Sequence, residues 1–240
     1  WLHNLHGYYL NIELLFKWLK EHSQIKILWT LHDCWAFTGH CAHFSAAKCD
    51  RWKSGCGDCP QLKAYPKTYG ADHTQRNYRQ KQACFTGLAN LTIIVPSEWL
   101  ARTVKQSFLK EYPVEVVHNQ IDKSLFKPTP SDFREQYGLD GKTVILGVAS
   151  VWDKEKGLLD FCRLREKLDS RFAIVLVGVT DKQKSRLLPG ILALPRTASP
   201  RELAEIYSAA DVFVNPTHQD TYPTVNLEAR ACGTPVITYD

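Results

Sequence analysis

The segment "DTYPTVNLEARACGTPVITYD", residues 220 to 240, sets two carboxylates, Asp220 and Glu228, on either side of an expected helix start. Pro223 suits the first helical position and Gly233 the stop, since proline is preorganised for the first turn and glycine for a left-handed exit. The backbone around Tyr222, Pro223, Thr224 and Val225 would then offer N–H groups without intrahelical acceptors, an end suited to a diphosphate. Glu228 falls roughly 7–8 Å further along the helix axis. Carboxylates so placed can accept hydrogen bonds from sugar hydroxyls on one side of a diphosphate and from ribose hydroxyls on the other. An acidic loop residue and a solvent-facing glutamate fit the same spacing, and the residues alone leave both readings open.

A second cluster is Cys41, Cys49, Cys56 and Cys59 in "CAHFSAAKCDRWKSGCGDC", spaced C-x7-C-x6-C-x2-C. Four thiolates with one C-x2-C knuckle are a complete tetrahedral set for a structural zinc. The alternatives are four reduced thiols, or a disulfide in an oxidising compartment. Lys48, Arg51, Trp52 and Lys53 in the same stretch meet the needs of a Cys-rich nucleic-acid module, and equally those of a solvated loop face.

The elements that must position these residues follow an α/β pattern. "NIELLFKWLKE" reads as an amphipathic helix behind Asn11, and "IKILWTLHD" as a buried strand that delivers His32 and Asp33 to a loop. Residues 34–76 form a long irregular stretch, a length that is uncommon unless functional or stapled. A helix over 77–89, the strand "LTIIVPS", a helix from Glu98 to Leu109 and the strand "VEVVHN" follow. "FKPTPSD", 126–132, breaks periodicity as a linker would. Beyond it come strand "TVILGVAS", helix 157–168, strand "FAIVLVG", helix 180–188, strand "ILALP", helix 200–210, strand "DVFVNP", helix 223–232 and strand "TPVIT". Apolar strands each followed by a helix indicate parallel sheets covered on both faces. Two Rossmann-like domains are expected, 1–126 with the Cys-rich insert 34–76, and 127–240, with ligand at the carboxyl ends of the strands.

Composition removes several classes. The 240 residues are 44% hydrophobic and carry a net charge of +5 spread along the chain, which supports a folded core and gives no specific argument for nucleic acid. No apolar run approaches the ~20 residues of a membrane span and no leader precedes Trp1, so a cytosolic protein is expected. The chain starts at Trp1 and holds no Met, which leads us to expect a piece of a longer protein. The dinucleotide fingerprint and the P-loop are absent, which argues against a nicotinamide dehydrogenase and a P-loop NTPase. No Asp-x-Asp pair occurs, so no divalent metal on a diphosphate is indicated.

"DVFVNPTHQDTYPTVNLEARACGTPVIT" resembles the E-x7-E segment and following A-x-A-C-G-T-P-V of the retaining glycosyltransferases of family four, and the resemblance extends over nearly the whole chain. It implies the two-domain GT-B fold, two Rossmann-like parallel-sheet domains facing a cleft, incomplete here because the family's first strands, glycine-rich acceptor loop and last helices are not matched. Glu228 matches the glutamate that binds the nucleotide ribose, and Asp220 falls where the family holds the donor sugar with a glutamate. "VASVWDKEKG" resembles the segment ending in Lys-Gly, so Lys156 matches the lysine that neutralises the donor phosphates, while Val151 stands where the family has an arginine. A cation at a helix start opposes the helix dipole, which favours that role for Lys156 over a surface lysine.

"WTLHDCWAFTG" is similar to the loop that brings a histidine near the donor sugar, which makes His32 the candidate, and "SPRELAEIYSAAD" matches the region beside the base, with Glu202 and Leu203 near base or ribose. "VVHNQID" resembles the hinge segment, with Gln120 in place of glycine. The implied activity is metal-independent, retaining transfer of a hexosyl group from a nucleotide sugar to a saccharide or lipid-linked acceptor, as in bacterial polysaccharide biosynthesis. His32, Asp220 and Lys156 would be catalytic, the leaving phosphate taking the acceptor proton. No cofactor is required for that chemistry. Loose attachment to the inner face of a membrane is a further expectation from the family. The rival reading is a non-catalytic nucleotide-sugar-binding fragment.

Overall fold

The computed structural model of the chain describes residues 1–3, 5–7 and 9–239. Two compact units follow one another, Trp1–Asn119 and Gln120–Asp240.

The first unit is a parallel sheet of β1 (Leu2–His3), β2 (Ile27–Thr30), β3 (Leu91–Val95) and β4 (Val114–Val116), in that order. It carries α1 (Ile12–Glu21), α2 (Thr74–Phe85) and α3 (Glu98–Val104). The Asn11 side chain accepts the Leu14 N–H at 3.1 Å, which satisfies one of the four donors orphaned at the start of α1. From there the helix turns Phe16 inward against Trp29 of β2 and Phe85 of α2, with ring centroids 5.4 and 4.6 Å away. All three rings are buried. Interlocked tilted rings of this kind add to the stabilisation from burial alone.

Between β2 and α2 the chain forms only two short 3-10 turns, Trp35–Phe37 and Arg51–Lys53. Even so, residues 34–42 are all buried. A buried stretch without ladder bonds needs partners for its carbonyls. Lys81 on α2 supplies two of them, donating to Trp35 O at 2.7 Å and Thr38 O at 2.9 Å. This packing corrects the nucleic-acid alternative. Trp52 is 3% exposed and stacked on Phe44, Arg51 donates to the carbonyls of Gly57 and Asp58, and Lys53 pairs with Asp50. No ring of that set is presented for a base.

Two helices differ from expectation for local reasons. α2 starts at Thr74 because Asp72 accepts its N–H at 2.7 Å. α3 stops at Val104 because the Ser107 hydroxyl donates to Val104 O and accepts the Leu109 N–H, competing with helix continuation.

The second unit is a five-stranded parallel sheet in the order β7 (Ile191–Leu194), β6 (Phe172–Val177), β5 (Thr143–Val148), β8 (Val212–Asn215), β9 (Val236–Thr238), with two short helices, α4 (Phe133–Gln136) and α6 (Asp181–Lys184), the latter shorter than the 180–188 expected. Alternate residues feed two cores, one on each face, as the period of two requires. Val144, Leu146, Val175 and Phe213 pack with Ala204, Tyr207 and Ala229, from α7 (Pro200–Ala209) and α8 (Thr224–Ala231). Ile145, Ile174 and Leu176 pack with Trp152 and with Phe161 of α5 (Leu158–Lys167). The division falls at 119/120 rather than at 126/127. Phe126 packs on the second core and Thr129 N donates to Ser208 Oγ at 2.9 Å, so the proline-rich stretch is part of the second unit and not a free linker.

Gly147 sits where α5 crosses β5, and a Cβ there would lie 2.5 Å from Phe161 Cζ and 2.8 Å from Leu176 Cδ2. Gly147→Val should therefore lower stability by about 1–3 kcal/mol. Urea unfolding followed by far-UV circular dichroism would read this as a lower midpoint at unchanged slope. An unchanged midpoint would mean the sheet and α5 are less closely packed than this.

Candidate functional site

In the second unit the strand order reverses between β5 and β8, so the connection leaving β5 goes to α5 on one face and the one leaving β8 goes to α8 on the other. Such a reversal opens a crevice at the carboxyl ends of the strands, where open α/β sheets bind ligands. Lys156 lies in the loop after β5, and Asp220 in the loop after β8.

The two loops are tied together by one acidic residue that sequence reasoning missed. Glu155 O accepts the His218 N–H at 2.8 Å and the Thr217 hydroxyl at 3.3 Å, while its carboxylate accepts from Gln219 Nε2 at 3.1 Å. Gly157 permits the approach. Its φ is +76°, in the left-handed region that favours glycine, and a Cβ would stand 2.6 Å from Pro216 O. Held this way, Lys156 Nζ donates to Asp220 Oδ2 at 2.8 Å. The sequence singled out each residue as a ligand contact, and the structure brings the two together as a partly exposed ion pair.

Asp220 Oδ1 also accepts the Tyr222 N–H at 3.2 Å. Pro223 is the residue before α8 rather than its first residue, and no side chain caps the helix at that point. Thr224 and Val225 form the first turn, and Val225 packs against the core. Glu228 stands one turn on, about 6 Å along the axis from Thr224. Its Oε2 accepts the Tyr207 hydroxyl at 3.0 Å. Tyr207 is fully buried on α7. Burial raises the Glu228 carboxyl above its usual range, against the lowering effect of the Tyr207 and Thr224 hydroxyls, and raises the Tyr207 phenol as well. Tyr207 lies on the apolar face of α7, so helical periodicity alone could mark it only as core.

Glu202 and Leu203 are accounted for within the fold. The Glu202 carboxylate accepts the Ala198 N–H at 2.8 Å, its own N–H is capped by Ser199, and Leu203 packs against the core. Val151, at the position of the family's arginine, is 67% exposed.

His32 belongs to the first unit, after β2, where His3, His6, Asp33 and Trp35 help to line a cavity of about 260 Å³. Although the residue is exposed overall, its ring meets His3 edge-on at 4.9 Å. Partial burial of the ring, then His3, lower its pKa against the pull of Asp33. Asp33 accepts the Trp35 N–H at 2.8 Å and lies 3.6 Å from His6 Nε2.

Cys41, Cys49, Cys56 and Cys59 all line one small cavity, and none is in a disulfide. Burial raises the thiols of Cys41, Cys56 and Cys59, Cys56 to about 11. Among the described residues no group of three or more His, Cys, Asp or Glu side chains stands arranged to hold a metal ion. Nor is any described helix long and apolar enough to cross a membrane.

The family model for glycosyl transferases group 1 matches residues 142–240, most of the second unit. WcaC of Escherichia coli (strain K12), named as a colanic acid biosynthesis glycosyl transferase, is 26% identical over 98% of this chain and 58% of its own length. The second unit thus resembles the group 1 glycosyl transferases, and the chain as a whole is similar to a glycosyl transferase of that kind. Its fold is of the GT-B kind. Sucrose-phosphate synthase from Thermosynechococcus elongatus superposes with a TM-score of 0.63 at 20% identity, over 92% of this chain and 52% of that one. Anabaena HepE, solved with UDP-glucose, gives 0.58 at 17% identity, over 93% and 57%. The chain thus spans little more than half the length of WcaC and of these two structures.

Glu228→Gln offers a check on the electrostatics. The raised pKa means that the native glutamate must ionise in a partly buried position as pH climbs, whereas glutamine does not. Below the ordinary value of 4.5 the two side chains are both neutral. The variant's thermal midpoint should therefore match the native one near pH ~4 and gain on it by pH ~8. An equal difference at both values would contradict the burial of this carboxyl.

Proposed function

We propose that the second unit binds a nucleotide-sugar donor and that the whole protein is a retaining, metal-independent hexosyltransferase acting on a saccharide or lipid-linked saccharide. The observation that carries the reading is the coincidence of Lys156, Asp220 and the uncapped start of α8 where the strand order reverses. A solvent-accessible ion pair of this kind is worth on the order of 1 kcal/mol, so a diphosphate can draw Lys156 away at little cost. Asp220 is then released to accept from sugar hydroxyls, and Glu228, oriented by Tyr207, accepts from the ribose. Charge developing on the departing diphosphate would be met by the Lys156 ammonium and the α8 N–H groups, fixed before the reaction begins.

Tyr222, Pro223, Thr224 and Val225 shape that turn. His32 is the first unit's candidate, its lowered pKa keeping the ring neutral and able to accept or donate. Retention and the proton's passage to the leaving phosphate rest on the family resemblance. A cytoplasmic setting, with peripheral membrane attachment where the acceptor is a lipid, belongs to the same proposal. The diacylglycerol lipid in the name of a Streptococcus pneumoniae relative, alpha-galactosylglucosyldiacylglycerol synthase, supports such an acceptor; that protein is 30% identical over 53% of this chain.

One observation favours the rival reading of a donor-binding protein without transferase activity. Val151 supplies no second cation beside Lys156.

Calorimetric titration of the chain with UDP-, GDP- and ADP-sugars tests the first reading. One nucleotide class should bind, and Lys156→Ala and Glu228→Ala should each weaken it by about 10-fold or more, the loss of a charge-assisted hydrogen bond. Lys154→Ala, exposed and unpaired with Asp220, should bind as the native chain does. No binding to any donor, or equal binding by all variants, would defeat the proposal. Donor turnover with a saccharide or lipid-linked acceptor, present or absent, would then decide between transferase and binding protein.

A further inference from the structure

The Cys-rich segment of the first unit is not used in the donor site proposed above, and its packing has a chemistry of its own. Cys41, Cys49, Cys56 and Cys59 are drawn from 19 residues of irregular chain to the walls of one cavity of about 20 Å³. That is room for a single water or ion. Among the described residues, the only non-glycine positions with left-handed φ are Lys48 at 48° and Asp58 at 45°. Each immediately precedes a cysteine of the set, Cys49 and Cys59. Such conformations carry a cost that surrounding structure or a ligand must offset.

The polar groups around the cavity include N–H and O–H donors, with His40 able to donate or accept according to its tautomer. Gly39 N–H donates to Cys56 Sγ at 3.1 Å. Trp52 Nε1, Thr74 Oγ1 and His40 Nε2 are buried without a hydrogen-bond partner, and all three residues line this cavity. Trp52 and Thr74 are at most 3% exposed. Neutral thiols are weak acceptors; thiolates are strong ones.

Lys81 completes the picture. Its side chain is buried, which lowers its pKa to about 7 against the pull of Asp33, its Nζ lies 3.5 Å from the Trp35 ring centroid, and among the described residues no carboxylate is within ion-pair distance. A buried cation requires compensation. Lys81 Nζ donates to Thr38 O, and the N–H of the same peptide group, on Gly39, donates to Cys56 Sγ. One peptide therefore links the ammonium to a sulfur. A divalent ion held by four thiolates leaves two negative charges over, and Lys81 is placed to offset one of them.

We propose that Cys41, Cys49, Cys56 and Cys59 bind one zinc-class divalent ion, which folds the 34–76 segment, and that Lys81 balances the charge of the thiolate set. The sulfurs line the cavity without forming a ligand group as they stand. The cation makes convergence of four thiolates favourable, and the thiol protons would be released to solvent as it binds.

The test is independent of donor binding. The 240-residue chain, purified without added metal, should contain one zinc per chain that survives gel filtration and is released by a mercurial thiol reagent. Replacement by cobalt should produce the strong sulfur-to-metal absorption of a four-thiolate tetrahedral site. Cys59→Ser should lose the metal and Cys162→Ser, in the second unit, should keep it. Lys81→Met should release zinc to a chelator about 10-fold faster or more, as loss of an outer partner does. Absence of both stoichiometric zinc and the cobalt absorption in the native chain would overturn the site, whatever the folding of the variants. Unchanged release from Lys81→Met would overturn the charge-balancing role.

Discussion

Everything proposed for the second unit depends on β5 lying between β6 and β8. Parallel strands need right-handed crossovers, so moving outward from β5 in opposite directions sends the following helices to opposite faces. The loops after β5 and β8 then part, and a crevice exists before any side chain is placed in it. Glu155 and Gly157 limit how far the loops part. The first ties them through three hydrogen bonds, and the second lets the α5 start approach the carbonyl of Pro216. Lys156 and Asp220 face one another because their neighbours are fastened, with little contribution from their own attraction.

Glu228 illustrates a different balance. A carboxyl on a half-buried helix face loses hydration, and the Tyr207 hydroxyl restores part of it. Tyr207 is held by the core beneath α7, packed edge-on against Phe213 of β8. The same cluster that stabilises the sheet therefore sets the direction of the carboxylate. A rigid acceptor prepared in this way costs less to order when a hydroxyl arrives than a free side chain would.

In the first unit the constraint is the burial of an irregular segment. Residues 34–42 give up water without gaining a ladder of backbone bonds, and Lys81 answers for two of the carbonyls from inside. The arrangement places Lys81 one peptide away from the Cys56 thiol, at the buried end of the Cys-rich stretch. Stacking of Trp52 on Phe44 follows from the same burial.

Much of this was legible in the residues. Apolar runs alternating with helical patterns specify parallel sheets, because strands covered on both faces must be apolar throughout, and the start of α8 with Asp220 and Glu228 could be read from local spacing alone. The C-x7-C-x6-C-x2-C spacing marked the four cysteines in the same way. Helix ends at Thr74 and Val104 were less accessible, since they turn on side-chain hydrogen bonds from Asp72 and Ser107. Contacts between residues far apart in the chain were beyond reach: the Lys156 to Asp220 pair, the Tyr207 hydroxyl on Glu228, the hub at Glu155, and Lys81 against the carbonyls of Trp35 and Thr38. Periodicity encodes which face of an element is apolar; which polar group meets which is decided only when the sheet order brings two loops together.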